Sequence, residues 1–456
     1  MNVDVVIVGS GQAGVPLAVR LAEAGRRVVI AERQALGGTC VNYGCTPTKM
    51  MVASAHAAHV ARTAGRFGVK AGRVTVDMAA VVDRKDRIVR QWRDGVRKRL
   101  QRAAPRLTLV RGHARFIGPR SLDVAGERYE ADVVILNVGA RPARPPLPGL
   151  DGVPWLDNAR IMQLRRVPAH LVVLGGGYIG CEFAQMFRRF GAKVTVVDRG
   201  ARLLSTEEPE ASAALERVFR GEGIRLVMKA RARSVSGGAH AVTLRLDGRK
   251  KVTGSHLLVA VGRRPNTDDL GADAAGVRLD AKGYVEVDER YRTSADGVYA
   301  VGDCTPGPQF THASWDDHRI LFDLLQGRGR RTRNDRLVPI TVFTDPQAAR
   351  IGLTEREARA RGLAPETATM DFGKIARAVE TDQTAGTMKI LLDPKTERVL
   401  GASIVGAEAG ELIHIFGPVM VAGVSARAIV DGEYVHPTFA EGVQSLVMSL
   451  KRYAVE

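Results

Sequence analysis

The sequence predicts an α/β protein in which one strand–turn–helix–strand unit occurs twice, followed by an α+β region at the C-terminal end. Three observations carry this reading. A β-branched run, a glycine-rich turn, a helical stretch and a second strand ending in an acid occur in that order at the N-terminus and again after residue 170. The distance from first glycine to acid is 23 positions in both copies, Gly9 to Glu32 and Gly175 to Asp198. Strand-like runs at 388–392 and 402–405 then mark a separate C-terminal sheet.

In the first copy, residues 3–8 read as strand, Gly9-Ser10-Gly11-Gln12-Ala13-Gly14 as turn, 15–24 as helix and 28–31 as the second strand, which ends in Glu32. This is the layout of a Rossmann-like dinucleotide-binding unit. Gly9 permits the tight turn, Gly11 lets backbone N–H groups approach a pyrophosphate, and Gly14 lets helix and strand pack closely. The helix N-terminus favours negative charge, and Glu32 would accept hydrogen bonds from the adenosine ribose. In the second copy, 171–174 leads into Gly175-Gly176-Gly177-Tyr178-Ile179-Gly180, a helix to about residue 190, and a strand at 193–197 ending in Asp198. Two copies in matched register predict two bound dinucleotides.

The segment after the first copy decides which is which. Gly37-Gly38-Thr39-Cys40-Val41-Asn42-Tyr43-Gly44-Cys45-Thr46-Pro47-Thr48-Lys49 holds two of the chain's four cysteines, five apart; Cys181 and Cys304 are isolated and read as packed small residues. In a regular helix residues five apart lie on different faces, too far for an unstrained disulfide. Gly44 and Pro47 are expected to distort the helix start and bring the sulfurs together. A helix N-terminus would also favour a thiolate. A zinc site with His56 and His59 fits poorly, because Cys40–Cys45 is longer than the usual clip; no metal site is expected. A dinucleotide beside this pair must exchange electrons with sulfur. A flavin does so, and nicotinamide hands hydride to a flavin, so FAD is expected first and NADH or NADPH second. Asp198 suits the ribose hydroxyls of NADH, while Arg199 beside it could meet a 2′-phosphate.

The bulk numbers agree. At 456 residues the chain has room for about three domains, with 45% hydrophobic and 25% charged residues, ordinary values for a globular protein. No run reaches the ~18 apolar residues of a membrane span, and the N-terminus opens directly on the first strand without a basic leader; a cytoplasmic location is expected. The net charge of +18 invites a nucleic-acid reading. Arginines occur along the whole chain and no nucleic-acid-binding motif accompanies them, so that role is not expected as primary. The densest stretch, 84–102, places Ile88, Trp92, Val96 and Leu100 four apart and reads as an amphipathic helix with a basic face. Residues 327–336 read as an exposed loop.

The segment 37–49 resembles the signature of the class I pyridine nucleotide–disulfide oxidoreductases, which include dihydrolipoyl dehydrogenase, glutathione reductase and mercuric reductase. The resemblance runs through the chain. Residues 133–140, ending Gly139-Ala140, resemble the family strand returning under the FAD, and 258–267, containing Gly262, resemble its counterpart in the NAD domain. Residues 298–303 resemble the second FAD motif, whose Asp303 would bind the ribityl chain. His436-Pro437-Thr438-Phe439-Ala440-Glu441 resembles the HPTxxE element of the dimerisation domain. What the resemblance implies is an FAD domain at 1–148 and 270–335, an NAD(P) domain at 149–269 entered through the proline-rich 141–148, and an interface domain at 336–456.

It also implies roles. Cys45 would face the flavin and Cys40 the substrate; His436, oriented by Glu441, would be the acid–base for Cys40, reaching it from the other subunit of a homodimer. Gly38 and Thr39 would lie against the FAD, Lys49 and Glu182 would pair near the flavin ring, and Tyr178 would cover the nicotinamide pocket. Mercuric reductases carry a further cysteine pair at the C-terminus, whereas residues 449–456 hold none. Residues 309–319 and the Thr46-Pro47-Thr48-Lys49 variant resemble flavoproteins of bacterial chlorine and copper stress. The acceptor expected is a metal ion, Cu(II) or Hg(II), with a small organic disulfide as the alternative.

Overall fold

A computed structural model describes residues 1–239 and 241–453. Its contacts divide the chain into two compact units: residues 1–51, 80–143 and 262–336, and residues 52–79, 144–261 and 337–456.

The first unit is built on a seven-stranded sheet. Leu107–Arg111, Val28–Glu32, Asn2–Val8 and Glu127–Leu136 run parallel in that order, with Val298–Ala300 parallel to the last three residues of Glu127–Leu136. Ser121–Val124 and Ala114–Gly118 add an antiparallel edge. Asn2–Val8 is a β-branched run whose last four residues are buried, as a central parallel strand covered on both faces requires. The helix Gly14–Glu23 buries Val15, Leu17, Ala18, Leu21 and Ala22 against the sheet, one stripe of a 3.6-residue period.

The basic helix is longer than the sequence suggested, Met78–Arg102, and its stripe differs. Val82, Val89 and Leu100 are buried, but Trp92 is 54% exposed. Four-residue steps drift by about 40° each around a helix, so the row from Ile88 starts off the core face and reaches it only at Leu100, whereas the seven-residue spacing of Val82 and Val89 stays on it.

The second unit carries the second copy as a four-stranded parallel sheet, Arg225–Val227, Lys193–Val197, His170–Leu174 and His256–Val259 in order, with the helix Tyr178–Phe190. It also holds a three-stranded antiparallel sheet, Ala232–Gly237, Val242–Leu246 and Lys251–Gly254. The C-terminal region is a five-stranded antiparallel sheet containing Thr387–Leu392 and Val399–Gly406, packed with helices such as Ala440–Met448 around Phe372, Phe416 and Leu446. The α+β expectation holds there. No helix among the described residues is long and apolar enough to cross a membrane.

Candidate functional site

In the first unit the turn Gly9–Gly14 closes on the carboxylate of Glu32. Its Oε2 accepts from the Ser10 N–H at 3.0 Å and the Ser10 hydroxyl at 2.6 Å, and its Oε1 from the Gln34 N–H at 2.6 Å. Gly9 sits at φ +103°, where a Cβ would come within 2.4 Å of the Asn137 carbonyl oxygen. Asn137, the residue after Glu127–Leu136, donates its Nδ2 to the Gly9 carbonyl at 3.0 Å. A Cβ on Gly14 would stand 2.2 Å from that same carbonyl, so the glycine is needed for the helix to pack this close. Gly139 follows at φ +66° with nothing near its Cβ position.

Asp303 stands in a short 3-10 turn and pairs with Arg263 at 3.2 Å. Burial holds its carboxyl above the ordinary range despite that guanidinium. Gly262, expected with the nicotinamide group, falls in the first unit, its carbonyl accepting from the Ala143 N–H at 2.9 Å.

The redox segment is pinned to this turn. The Gly37 N–H donates to the Ser10 carbonyl and hydroxyl, both at 3.2 Å, and Gln12 donates to the Gly37 carbonyl at 3.3 Å. A Cβ on Gly38 would be 2.8 Å from Gly11 Cα, so Gly38 packs directly on the Gly9–Gly14 turn. The helix Gly38–Asn42 carries Cys40, then breaks at Tyr43-Gly44, and a new helix, Cys45–Thr63, begins at Cys45. Gly44 makes the break, packing within 3.0 Å of the Thr39 carbonyl and 3.3 Å of Cys40 Cα at its Cβ position. Pro47 takes no part in it. It lies in the first turn of the new helix, where its missing N–H costs nothing.

The four cysteines are free thiols. Cys40 hydrogen-bonds to Cys45, and that bond, then burial, then the negative charge on Cys45 push the Cys40 thiol well up from its ordinary value; Thr311 and Thr46 pull weakly the other way. Thr311 Oγ1, opening the helix Thr311–Leu325, lies 3.1 Å from Cys45 Sγ. Of the pair, the half-buried Cys40 is thus the thiol whose proton is held more tightly, while Cys45 is exposed at a helix start. Asn42 between them is buried. It donates to the carbonyls of Leu36 and Gly38 at 2.8 and 2.9 Å and accepts a two-pronged bond from Arg93 at 2.9 and 2.7 Å. Cys181 and Cys304 are fully buried, donating to carbonyls, and burial raises Cys304 to about 12. They are packed residues. Among the described residues no group of three or more His, Cys, Asp or Glu is placed to hold a metal.

The second unit repeats the first's geometry. Asp198 Oδ2 accepts from the Gly176 N–H and Oδ1 from the Gly200 N–H, both at 2.6 Å. Gly175 sits at φ +117°, a Cβ there meeting the Ala260 carbonyl at 2.3 Å, and a Cβ on Gly180 would stand 1.9 Å from the Gly175 carbonyl. At Gly177 a Cβ would meet nothing within 4 Å. Arg199 is exposed. Tyr178 opens the helix and donates its hydroxyl to Glu207 at 2.5 Å; Arg350 holds the other oxygen of Glu207 at 2.7 Å. Glu182 is buried and accepts from the Phe343 N–H at 2.9 Å.

His436 Nδ1 lies 2.9 Å from Glu441 Oε2, and the Thr438 N–H donates to Glu441 Oε1 at 3.3 Å. The carboxylate holds a proton on Nδ1 and leaves Nε2 as the basic nitrogen. The ring is 70% exposed.

Sequence reasoning missed Ser10, Asn137, Arg93 and Thr311 as parts of this arrangement. Each stood in a segment the sequence singled out, but its partner lies 22 to 266 positions away, so no local spacing marked the side chain itself.

Residues 3–317 match the pyridine nucleotide-disulphide oxidoreductase family, and residues 338–447 match its dimerisation domain. The chain is 34% identical to a probable pyridine nucleotide-disulfide oxidoreductase, RclA, of Escherichia coli over 98% of this chain and 99% of that protein. It is 35% identical to a mercuric reductase of Streptomyces lividans over 97% and 94%, and 32% identical to a dihydrolipoyl dehydrogenase of Thermus scotoductus over 99% and 98%. The Cu(II) complex of RclA, described as an HOCl-induced flavoprotein disulfide reductase, superposes with a TM-score of 0.90 at 34% identity, covering 98% of this chain and 99% of that one.

Proposed function

We infer the reaction from one premise: the chain belongs to the pyridine nucleotide-disulphide oxidoreductase family, and so is an oxidoreductase that uses FAD and NADH or NADPH. We assign FAD to residues 1–148 with 270–335, held by Gly9, Gly11, Gly14, Glu32, Gly38, Thr39, Lys49, Gly139 and Asp303. The nicotinamide dinucleotide goes to 149–269, with Gly175, Gly177, Tyr178, Gly180, Glu182, Asp198, Arg199 and, at its border, Gly262; residues 336–456 pair the subunits of a homodimer. The closure of the Gly9 turn on Glu32, with the redox segment laid on Gly11, fits such a group. When bound, FAD supplies the relay of two electrons between nicotinamide and sulfur.

The acceptor in this proposal is a metal ion, Cu(II) in preference to Hg(II). The observation that carries it is the Cys40–Cys45 dithiol with Cys45 exposed: paired thiols can reduce a metal ion, and soft sulfur also suits the reduced Cu(I). Similarity to a flavoprotein solved as a Cu(II) complex and to mercuric reductases supports it. In the step itself, each Cu(II) takes one electron, so closing the Cys40–Cys45 bond reduces two ions and releases the proton that Cys40 holds. His436 Nε2 of the partner subunit, in this reading, takes that proton, and Glu441 stabilises the imidazolium. Reducing equivalents from NADH then reopen the disulfide.

The test is anaerobic NADH and NADPH consumption by the pure protein with Cu(II), Hg(II), lipoamide or glutathione disulfide. Consumption driven by Cu(II) and abolished in Cys45→Ser, with FAD still bound, is the expected result. Consumption driven only by lipoamide would instead assign the reaction of the dihydrolipoyl dehydrogenases, which the Thermus relative keeps in view.

A further inference from the structure

Beside the first dinucleotide turn lies a groove of about 720 Å³ between the helix Met78–Arg102 and the edge strand Leu107–Arg111. Its floor is apolar, with Leu36 and Leu107 buried and Leu109 half-buried; its rim carries Arg93, Arg97 and Arg111, and no carboxylate lines it. Neither Glu32 nor any glycine of the Gly9–Gly14 turn lines it either, so it is distinct from the residues assigned to FAD.

The surrounding charge is concentrated in this part of the chain. Residues 78–115 contain twelve basic and three acidic residues, a net +9 that is half of the chain's +18. The three rim arginines are unequally engaged. Arg93 is committed to Asn42. Arg97 pairs, among the described residues, with the exposed Asp94 alone, at 3.3 Å. Arg111 is exposed and enters no ion pair among the described residues.

We propose that this groove is a binding site for a small amphipathic anion: a carboxylate held by Arg97 and Arg111, with an alkyl tail laid along Leu107 and Leu109. Guanidinium forks pair with carboxylates in two-pronged fashion. Small-molecule sites combine an apolar lining with a few placed polar groups, in volumes of about 300–1,000 Å³. The strand from Leu107 to Arg111 spans about 13 Å, the reach of a medium-length alkyl chain. Inorganic phosphate would use the arginines and waste the floor, and a neutral hydrocarbon would leave the arginines unanswered.

The experiment is calorimetric titration of the FAD-loaded protein with decanoate below its micelle concentration, beside octanoate, inorganic phosphate and decyltrimethylammonium. Saturable one-to-one binding of decanoate is expected, with octanoate about tenfold weaker for two fewer buried methylenes. No saturable binding of phosphate or of the cation is expected. In the double variant Arg97→Gln, Arg111→Gln, decanoate should bind at least about tenfold more weakly, while FAD content and metal-driven NADH oxidation stay unchanged. Four outcomes would overturn the proposal: no saturable decanoate binding, equal affinity for octanoate and decanoate, displacement of decanoate by phosphate, or an unaffected double variant. Phosphatidylglycerol vesicles that retain the native protein but not the double variant, with no binding of free decanoate, would also overturn it and move the same chemistry to a membrane lipid. Because the readout is binding, failure here leaves the redox reading of Cys40 and Cys45 standing, and failure of that reading leaves this one.

Discussion

The two dinucleotide turns are the same construction finished in two ways. In both, the acid ending the second strand clasps the N–H of the residue after the first glycine and the N–H two positions beyond itself: Glu32 holds Ser10 and Gln34, Asp198 holds Gly176 and Gly200. In the first turn the clasp is reinforced. Ser10 adds its hydroxyl to Glu32 and receives the redox segment through Gly37, while the Asn137 amide braces the Gly9 carbonyl. Glu32 is buried; Asp198 is only half-buried, and at Gly177 nothing crowds the backbone. A group that stays bound and reacts with the adjacent sulfurs suits the first. One that enters and leaves each cycle suits the second.

The largest effects should come from breaking each turn outright. In Gly14→Ala the new methyl would sit 2.2 Å from the Gly9 carbonyl and 2.5 Å from the Asn137 amide; in Gly180→Ala it would sit 1.9 Å from the Gly175 carbonyl. Overlap of this kind against backbone costs roughly 1–3 kcal/mol or more. Gly14→Ala should be purified with little flavin, visible as loss of the flavin absorbance. Gly180→Ala should keep its flavin and lose NADH-driven bleaching of it. A Gly180→Ala protein that lost FAD as readily as Gly14→Ala would erase the distinction between the turns.

Next come the clasps. Glu32→Gln turns an acceptor of three hydrogen bonds into a group that must set an NH2 against a backbone N–H, costing about 1–3 kcal/mol in a buried site. Thermal unfolding of the holoprotein should drop by several degrees and FAD should dissociate faster on dilution. Asp198→Asn makes the same mismatch where water can reach, so unfolding should hardly move while the KM for NADH rises severalfold. Equal loss of thermal stability in the two variants would show that the second clasp is as structural as the first.

How much of this was legible in the sequence follows the same division. The glycines, the two acids, the cysteine pair and His436 with Glu441 announce themselves because short spacing carries their chemistry. Glycine is required where φ is positive, and an acid is required at the strand end. Ser10, Asn137 and Thr311 give no such signal. A polar residue that meets its partner through folding over more than a hundred positions, as Asn137 meets Gly9, leaves no local period to read. Pro47 misled for a related reason: proline breaks a helix interior but is tolerated in a first turn, and only the structure places the helix start at Cys45. The row Ile88, Trp92, Val96, Leu100 failed through phase drift, which put Trp92 outside.

A smaller effect separates the ligand from the fold. In Gly177→Ala the methyl meets nothing within 4 Å, so the change should cost little beyond the modest loss of a glycine N-cap, about 1 kcal/mol or less. It does fill the place through which the backbone would approach a pyrophosphate. The KM for NADH should rise about tenfold with near-normal unfolding, checked by steady-state kinetics beside a melting curve. An unchanged KM would remove Gly177 from the phosphate cradle.

The smallest expected effect concerns the choice between NADH and NADPH, and it turns on one side chain. Asp198 spends both oxygens on backbone N–H groups, and that clasp does not prevent a ribose hydroxyl from adding a further bond, since each carboxylate oxygen has two lone pairs. A 2′-phosphate at the same place would bring negative charge against that carboxylate, with the exposed Arg199 as the neighbouring counter-charge. An exposed guanidinium in high dielectric contributes only about 0.2–1 kcal/mol, too little to reverse the repulsion. Arg199→Gln should therefore raise the KM for NADPH about two- to fivefold and leave that for NADH nearly unchanged, so that NADH remains the better donor in both proteins. If native protein preferred NADPH and the variant reversed that order, Arg199 rather than Asp198 would set the selectivity of the second turn.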